Sequence, residues 1–446
     1  MISISGIRGI VDKDLTPEIV KKFAFSFGKH IGGGKIVVGR DSRQSGEELK
    51  DHVFSGLQNA GCKVIYLGIC PTPTIEINVK HLKAAGGIAI TASHNPSEWN
   101  ALKLIDSKGM FLDETEGEQV VNIFNNDKTV ISDEFDINKV EFRNDAVKNH
   151  INKLLDIPFI NTGLIKKKKF KVALDCVNGA GCVMFPELMS ELNCEYSGIN
   201  LEPNGEFLRN PEPTAENLEK FSEFIKTGNF DIGFACDPDA DRLSIVNEKG
   251  IPLGEEYSLI TAVDFLLSKK KGNVVINEST SMGIDVVAKK YDCDVLRTKV
   301  GEINVTKKMI ETGSPIGGEG NGGVILPEVH YGRDAFTGAV LVLQLMVEKG
   351  IPFSEYQKSL PKFFMLKEKL NMQIDSYGDL YHAVKDKIKD VEYSFTDGVR
   401  ITGKNWWVHI RKSNTEPVVR IITESDSKNT IKEISEKFIN ILKDKF

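Results

Sequence analysis

The feature that most constrains the fold is an alternation of short apolar runs with amphipathic stretches, which occurs in three rounds along the chain. The runs that open the three rounds lie at residues 35–41, 170–175 and 273–277. Strands that alternate with helices form parallel βαβ units, since a parallel strand needs a crossover connection. The restarts therefore predict three related α/β units rather than one long sheet.

Each unit also contains a second predicted strand that runs into an unusual loop. In chain order, these strand and loop pairs are residues 88–90 with Ser93, residues 232–235 with residues 237–242, and residues 315–317 with residues 318–323. Ligands of open α/β sheets bind beyond the carboxyl ends of the strands. We therefore expect the three loops to converge on one cleft.

The last part of the chain, from about residue 365, follows another pattern. Residues 406–410 and 418–422 predict two paired strands. A final helix is predicted by apolar residues that recur on one face, namely Ile431, Ile434, Phe438, Ile441 and Leu442. These signals predict a smaller α+β domain with its own loop at residues 411–417.

Composition sets broad limits on what the protein does. The chain has 446 residues and a net charge of −6, which is room for about three or four domains and argues against a nucleic-acid partner. An anionic substrate is still allowed, because a local basic pocket can exist in an acidic protein. No apolar run approaches the ~20 residues that cross a bilayer, and no secretory signal opens the sequence. No membrane association is therefore expected.

The cysteines point to a reducing compartment. There are seven, an odd number, and no Cys-x-x-Cys pair occurs. This pattern fits neither a disulfide framework nor a zinc site. We expect a cytoplasmic protein with free thiols.

Three aspartates form a candidate metal site. Asp237, Asp239 and Asp241 alternate along the chain, so in an extended segment their carboxylates would point the same way. Clustered carboxylates suit a hard divalent cation such as Mg²⁺. Alternatives are a solvated acidic loop and an EF-hand, although Arg242 stands where an EF-hand needs glycine. An arginine beside three aspartates makes more sense if an anion also binds.

Ser93 is the candidate carrier of a phosphate. It lies in the segment 91–96, Thr-Ala-Ser-His-Asn-Pro, which is also common turn chemistry and lacks the Gly-x-Ser-x-Gly elbow of hydrolases. A phosphoserine would add charge and three acceptor oxygens, and would be a natural fourth partner for a metal held by aspartates. His94 and Lys103 are acid–base candidates, and the alternative for His94 is a residue that only fixes the turn.

Two further loops carry candidate substrate ligands. Glu319 and Asn321, in a glycine-rich segment, could bind sugar hydroxyls, since glycine lets the backbone approach closely; a plain flexible turn is the alternative. The loop near the C-terminus combines donors that suit a phosphate, and its alternative is a polar hairpin. Its candidate residues are Arg411, Ser413, Asn414, Thr415 and Arg420.

These motifs together resemble those of the α-D-phosphohexomutases over essentially the full chain. The family's phosphoserine loop, Thr-[Ala/Gly]-Ser-His-Asn-Pro, matches residues 91–96, and its metal loop, Asp-x-Asp-x-Asp-Arg, matches residues 237–242. Its sugar loop, phosphate loop and opening Gly-Ile-Arg-Gly correspond to residues 318–322, 411–417 and 6–9. Five motifs in the right order are far more specific than any one of them.

The resemblance implies three similar α/β domains with mixed, mostly parallel sheets around a central cleft, and a C-terminal α+β domain. We place them at residues 1–150, 151–252, 253–364 and 365–446. It implies a phosphate covalently on Ser93 and one Mg²⁺ per chain, bound by phospho-Ser93 with Asp237, Asp239 and Asp241. Lys103 becomes the leading proton-transfer candidate. Arg8 and Arg242 would hold the phosphoryl group, and Lys299 is a candidate on the substrate side.

The resemblance also suggests a reaction, the interconversion of hexose 6- and 1-phosphates through a bisphosphorylated sugar. Two residues depart from the usual pattern: Asn414 replaces glycine and Asn321 replaces serine. The sugar loop and compact length look most like those of family members that act on glucosamine phosphate, so the resemblance implies this substrate, with glucose or mannose phosphate as the alternative. A non-catalytic phosphosugar-binding protein and a hydrolase are further alternatives. As partners we expect only a phosphohexose or phosphohexosamine, and a monomer or homodimer.

Overall fold

In the part of the chain that the structure describes, four β-sheets follow one another along the sequence. The structure is a computed structural model that describes residues 2–3, 6–372, 376–385, 387–412 and 418–445. Within these residues the layout confirms the predicted class, three similar α/β domains followed by a smaller α+β domain.

The first domain is built on a seven-stranded sheet. Its strands are β1 (Ile2–Ser3), β2 (Gly6–Ile10), β3 (Gly34–Arg40), β4 (Cys62–Ile69), β5 (Gly86–Ile90), β6 (Trp99–Ile105) and β7 (Val140–Phe142). Its helices are α1 (Pro17–Ile31), α2 (Ser45–Asn59), α3 (Thr72–His81), α4 (Glu114–Asn126) and α5 (Ala146–Leu155). The strand order is β1-β2-β6-β5-β3-β4-β7.

The second and third domains each contain a four-stranded sheet. The second has α6 (Thr162–Lys168), β8 (Lys171–Asp175), α7 (Phe185–Glu191), β9 (Glu195–Ile199), α8 (Glu219–Thr227), β10 (Ile232–Cys236) and β11 (Leu243–Asn247). The third has α9 (Glu256–Leu267), β12 (Val274–Asn277), α10 (Gly283–Lys290), β13 (Val295–Thr298), α11 (Glu302–Thr312), β14 (Ile316–Glu319), β15 (Gly323–Ile325), α12 (Ala335–Lys349) and α13 (Phe353–Gln357). Short 3₁₀ helices lie at Ile137–Lys139, Ala180–Val183 and Ala215–Leu218.

The fourth domain is an antiparallel sheet covered by helices. Its elements are β16 (Phe364–Leu370), α14 (Tyr377–Val384), β17 (Glu392–Ser394), β18 (Val399–Thr402), β19 (Trp406–Lys412), β20 (Val419–Ser425) and α15 (Lys428–Lys445). The strand order is β16-β20-β19-β18-β17. The predicted pairing of the two C-terminal strands is confirmed, because β19 and β20 are antiparallel neighbours.

The three α/β domains share one local arrangement. In each, the strand that precedes a candidate loop is parallel to the first strand of its round and antiparallel to the next strand in the chain. This holds for β5 between β3 and β6, for β10 between β8 and β11, and for β14 between β12 and β15. The carboxyl ends of β5, β10 and β14 are therefore equivalent positions.

Local sequence accounts for the ends of the helices. At the start of α1, Pro17 occupies the first turn, where its missing N–H costs nothing, and Thr16 Oγ1 accepts a bond from Ile19 N at 3.5 Å. Gly32 closes the helix in the left-handed region, with φ at 78°. Asp113 and Glu116 form a reciprocal capping box at the start of α4. These signals fix the helices that flank the first sheet.

The second and third domains share one hydrophobic core. Phe185 of α7 packs on Phe336 of α12, with ring centroids 4.5 Å apart. The first and fourth domains have separate cores. The predicted division at residue 150 falls within α5, and the one after residue 364 falls inside β16. The domain boundaries stay predictions.

All seven cysteines are free thiols, as expected. Among the described residues, no helix combines the length and the apolar character needed to span a bilayer.

Candidate active site

Ser93 lies in the turn that follows β5. Its φ is 49°, in the left-handed region that residues other than glycine seldom adopt. The backbone N–H of Ser93 donates to Thr91 Oγ1 at 3.0 Å, and Ser93 Oγ donates to Asp237 Oδ2 at 2.8 Å. The turn therefore places a hydroxyl of the first domain directly against a carboxylate of the second.

A buried arginine is hydrogen-bonded to the backbone of this turn. Arg43 donates through Nη2 to the carbonyl oxygens of Ser93 at 2.6 Å and Asn95 at 2.7 Å. Its Nε donates to Asp41 Oδ2 at 3.0 Å, and the ring of Phe207 from the second domain lies 4.9 Å from its guanidinium carbon. One fixed guanidinium thus determines the path of the Ser93 turn. Sequence reasoning missed Arg43, and the only signal was the polar end of the strand at residues 35–41.

The three aspartates converge, but not in the predicted way. Residues 237–242 form a turn rather than an extended segment, with Ala240 in the left-handed region at φ 52° and its N–H donating to Asp237 O at 3.0 Å. The prediction of an extended, alternating segment was wrong because this turn reverses the chain. Nevertheless, one oxygen each of Asp237, Asp239 and Asp241 lies within 4.8 Å of the others.

The donor set of this triad fits a divalent cation. All three aspartates are at most 1% exposed. Within the part of the chain that the structure describes, Asp239 Oδ1 and Asp241 Oδ1 are buried and accept no hydrogen bond. Burial, together with repulsion from Asp241 and Asp239, raises the pKa of Asp237 well above its usual range. Three buried carboxylates, two of which keep an oxygen that accepts no hydrogen bond among the described residues, are the hard, charged ligands that Mg²⁺ prefers.

Lys103 reaches the same triad from β6, next to the strand that leads to Ser93. Its Nζ donates to Asp239 Oδ2 at 2.7 Å and lies 3.9 Å from Asp241 Oδ2. Although burial opposes the charge, Asp239 and Asp241 raise the pKa of Lys103. Asp239 Oδ2 also accepts from Thr72 Oγ1 at 2.9 Å, a contact between domains that the sequence did not suggest. Lys103 is therefore a buried ammonium beside the carboxylates.

Two arginines also lie beside the serine turn and the triad. Arg242 Nη1 donates to Glu212 Oε1 at 2.9 Å, while its Nε lies 3.8 Å from Asp237 Oδ2. Arg8 Nη1 donates to Asn95 Oδ1 at 2.7 Å. Arg242, burial and Arg8 together hold the pKa of His94 well below its usual range. The charges of Arg242 and Arg8 thus disfavour the protonated form of His94, which follows the buried Ser93 in the turn.

The predicted sugar loop is shorter than expected, because Glu319 ends β14 and Gly323 begins β15. Glu319 Oε1 accepts from Asn277 Nδ2 at 2.8 Å and from Gly301 N at 2.9 Å, and Oε2 accepts from Arg333 Nη1 at 2.8 Å. Burial opposes the charge, but Arg333 and the other two donors hold the pKa of Glu319 below its usual range. In the described residues, the buried Oδ1 of Asn321 accepts no hydrogen bond.

The fourth domain carries the predicted phosphate-binding arginines and contacts the third domain. Arg411 and Arg420 are directly opposite in the β19–β20 pair. The N–H of Val300 donates to Asp397 Oδ2 at 3.0 Å, which ties the loop of the exposed Lys299 to this domain. Ser413, Asn414 and Thr415 lie outside the described residues, so their predicted roles remain predictions.

The loops after β5, β10 and β14 thus meet at one place. A hydrogen bond joins the loop after β5 to the loop after β10, and Arg333 donates to both the loop after β10 and the end of β14. This fold and this set of loops define an α-D-phosphohexomutase. Four family models match in order and are described as phosphoglucomutase/phosphomannomutase domains I, II, III and the C-terminal domain, at residues 3–130, 148–250, 254–364 and 370–441. The chain belongs to the phosphoglucomutase/phosphomannomutase family.

Individual relatives cover nearly the whole chain. A phosphoglucomutase/phosphomannomutase of Thermococcus kodakarensis is 36% identical over 98% of this chain and 97% of its own length. A probable phosphoglucosamine mutase of Methanopyrus kandleri is 33% identical with the same coverage, 98% and 97%. The crystal structure of a phosphoglucomutase/phosphomannomutase family protein of Burkholderia thailandensis has a TM-score of 0.85 at 24% identity, covering 99% of this chain and 98% of that one.

Proposed function

We propose that this phosphohexomutase interconverts glucosamine 6-phosphate and glucosamine 1-phosphate, through phospho-Ser93 and a bisphosphorylated sugar. The observation that carries the proposal is the contact of 2.8 Å between Ser93 Oγ and Asp237 Oδ2, inside a buried carboxylate triad. A hydroxyl at this position is placed to carry a phosphoryl group next to a cation. The surrounding arginines supply donors to its oxygens.

In the first half of the reaction, a free hydroxyl oxygen of the sugar forms a bond to phosphorus, and the bond from phosphorus to Ser93 Oγ breaks. The proton of the sugar hydroxyl is taken up, and Ser93 Oγ gains one. His94 and Lys103 are the groups placed for these transfers, beside the serine and the triad. After the bisphosphate reorients, the second half returns the other phosphate to Ser93 by the same steps in reverse.

Asp237, Asp239 and Asp241 would hold Mg²⁺ together with an oxygen of phospho-Ser93. When bound, the ion neutralises the charge of the transferring phosphoryl group. The chain itself does the remaining work of positioning. Arg242 lies beside the triad and Arg8 contacts Asn95 of the serine turn, so both would bind the phosphoryl oxygens.

The non-transferring phosphate would bind in the fourth domain. Two arginines directly opposite each other on antiparallel strands repel, and an anion between Arg411 and Arg420 would remove this cost. Within the described residues, the buried Nε of Arg411 donates to no acceptor. Ser413, Asn414 and Thr415 would add donors to the same phosphate. Lys299 would contribute from the neighbouring loop of the third domain.

The sugar would be recognised by Glu319 and Asn321. The Oδ1 of Asn321 can only accept hydrogen bonds, so it suits the amino group of glucosamine, which only donates when protonated. The relative from Methanopyrus kandleri carries a glucosamine name, while the one from Thermococcus kodakarensis carries glucose and mannose names. Phosphoglucomutase or phosphomannomutase activity is therefore the second candidate.

The substrate is tested by measuring kcat/KM side by side for glucosamine 6-phosphate, glucose 1-phosphate and mannose 1-phosphate. We expect glucosamine phosphate to be preferred by at least about tenfold, the effect of one well-placed polar contact. Asn321→Leu should reduce this preference, because it removes the acceptor at similar size. A higher kcat/KM for either neutral sugar would overturn the substrate assignment and leave the mutase assignment intact.

The metal site is tested by Asp239→Asn. This change removes one of three charged ligands, so the half-saturating Mg²⁺ concentration should rise on the order of tenfold or more, as cation affinity follows the charge of the ligand set. Asp231→Asn is the matched control, since Asp231 lies in the same domain and accepts only from Lys171 N among the described hydrogen bonds, at 2.8 Å. Equal Mg²⁺ dependence in both variants would contradict the assignment of the triad.

A further inference from the structure

Arg333 joins three carboxylates from three separate segments. It lies just before α12 and donates through Nη2 to Asp241 Oδ2 at 2.6 Å, through Nη1 to Glu319 Oε2 at 2.8 Å and through Nε to Glu302 Oε2 at 2.9 Å. One guanidinium therefore bonds the metal loop of the second domain, the end of β14 and the start of α11. Neither local sequence pattern nor the family motifs marked this residue.

The position of this guanidinium is tightly fixed. Its side chain is 9% exposed, and a Cβ atom added to Gly323 would lie only 2.2 Å from Arg333 Cδ. The aliphatic stem thus lies flat against the backbone of β15. Since the guanidinium is planar and its donors are rigidly arranged, its three partners cannot move independently.

Because of the contact with Arg333, the two carboxylate oxygens of Asp241 have different environments. Oδ2 accepts from Arg333, while Oδ1 accepts no hydrogen bond among the described residues. Asp241 can therefore offer one oxygen to a cation, and a fixed positive charge stands beside its other oxygen. The neighbouring Glu302 is also affected, because burial and the proximity of Glu76 raise its pKa to about 8 in spite of Arg333.

We propose that Arg333 is a positioning residue that couples the metal loop to the sugar-binding Glu319, and that it weakens cation binding while it strengthens sugar binding. This inference rests on the proposed function, since it takes the triad as the metal site and Glu319 as a sugar ligand. Its distinguishing feature is the opposite sign of the two effects. Loss of a purely structural arginine would weaken both.

The test compares Arg333→Met and Arg333→Lys with the wild-type protein. Binding of Mn²⁺ alone to the dephosphorylated protein is followed by electron paramagnetic resonance, and KM is measured for the preferred phosphosugar. In Arg333→Met, we expect Mn²⁺ to bind more tightly, on the order of tenfold, and KM to rise about tenfold or more, as for the loss of a charged hydrogen bond. In Arg333→Lys, Mn²⁺ binding should stay near wild type because the charge remains, while KM rises because one ammonium cannot reproduce the fork.

Arg297→Met is the matched control, because Arg297 donates to Asp285 at 2.8 and 2.7 Å in the same domain, on β13 at the edge of the sheet. It should change neither Mn²⁺ binding nor KM. Weaker or unchanged Mn²⁺ binding in Arg333→Met overturns the inference. If Arg333→Met does not fold, Arg333→Lys serves as the test. Loss of both Mn²⁺ binding and substrate binding in Arg333→Lys would then overturn the inference. If the wild-type protein binds no Mn²⁺, the proposed metal site itself is contradicted. Failure of the proposed function can therefore be distinguished from failure of the inference about Arg333.

Discussion

Replacing Ser93 with alanine is expected to abolish mutase turnover, with kcat reduced by at least about 10⁴-fold, the scale on which enzymes lose activity without their nucleophile. The physical reason is that phosphate must be carried by the enzyme while the sugar changes orientation. Intact-mass measurement should show phosphate on a fraction of the wild-type protein and none on Ser93→Ala. Steady-state kinetics with the preferred sugar phosphate measures the loss.

Ser97→Ala is the control for this experiment, since Ser97 is an exposed serine of the same loop. It should keep both the phosphate and the activity. The change at Ser93 should also leave the melting temperature close to that of the wild type, because the side chain donates only one hydrogen bond among those described, to Asp237. Full mutase activity in Ser93→Ala would contradict the covalent mechanism.

The second large effect is expected at Lys103. Lys103→Met should lower kcat by about 10²- to 10⁴-fold, the range of a lost acid–base group, with a much smaller change in KM. Lys103 donates to Asp239, and although burial opposes the charge, Asp239 and Asp241 raise the pKa of this ammonium. It can therefore donate a proton where the phosphoryl group leaves. Kinetics at saturating Mg²⁺ separates this role from metal binding.

Lys103→Arg is the matched variant, because arginine keeps the positive charge but does not release its proton in proteins. If proton transfer is the role of Lys103, this variant should be nearly as slow as Lys103→Met. If Lys103 serves only to neutralise Asp239, Lys103→Arg should retain most of the activity, and the proton-transfer assignment would be wrong.

The sequence predicted the parts of the site that lie in recognisable loops at the ends of strands. Ser93 and Asp237 each follow a buried strand, and strands that repeat the same arrangement end at the same edge of their sheets. The convergence of these two loops followed from that regularity. The turn at Ala240 did not, because a left-handed alanine has no marker in the sequence comparable to glycine.

The residues that were missed lie outside those loops and reach them through long side chains. Arg333 bonds to Asp241, 92 positions earlier, and to Glu319, 14 positions earlier. Arg43 bonds to the carbonyl of Ser93, 50 positions later. In the sequence, a buried arginine looks like an exposed one until the fold places carboxylates or carbonyls around it. Such contacts depend on tertiary packing within and between domains, which no local pattern encodes.

The most direct test of the central claim follows the phosphate itself. Protein phosphorylated on Ser93 is mixed with unlabelled glucosamine 6-phosphate and Mg²⁺, and phosphorus NMR of the quenched mixture is combined with mass analysis of the Ser93 peptide. We predict that phosphate leaves Ser93, that glucosamine bisphosphate and then glucosamine 1-phosphate form, and that no inorganic phosphate accumulates. Release of the Ser93 phosphate as inorganic phosphate would contradict the account. So would formation of glucosamine 1-phosphate while the original phosphate stays on Ser93.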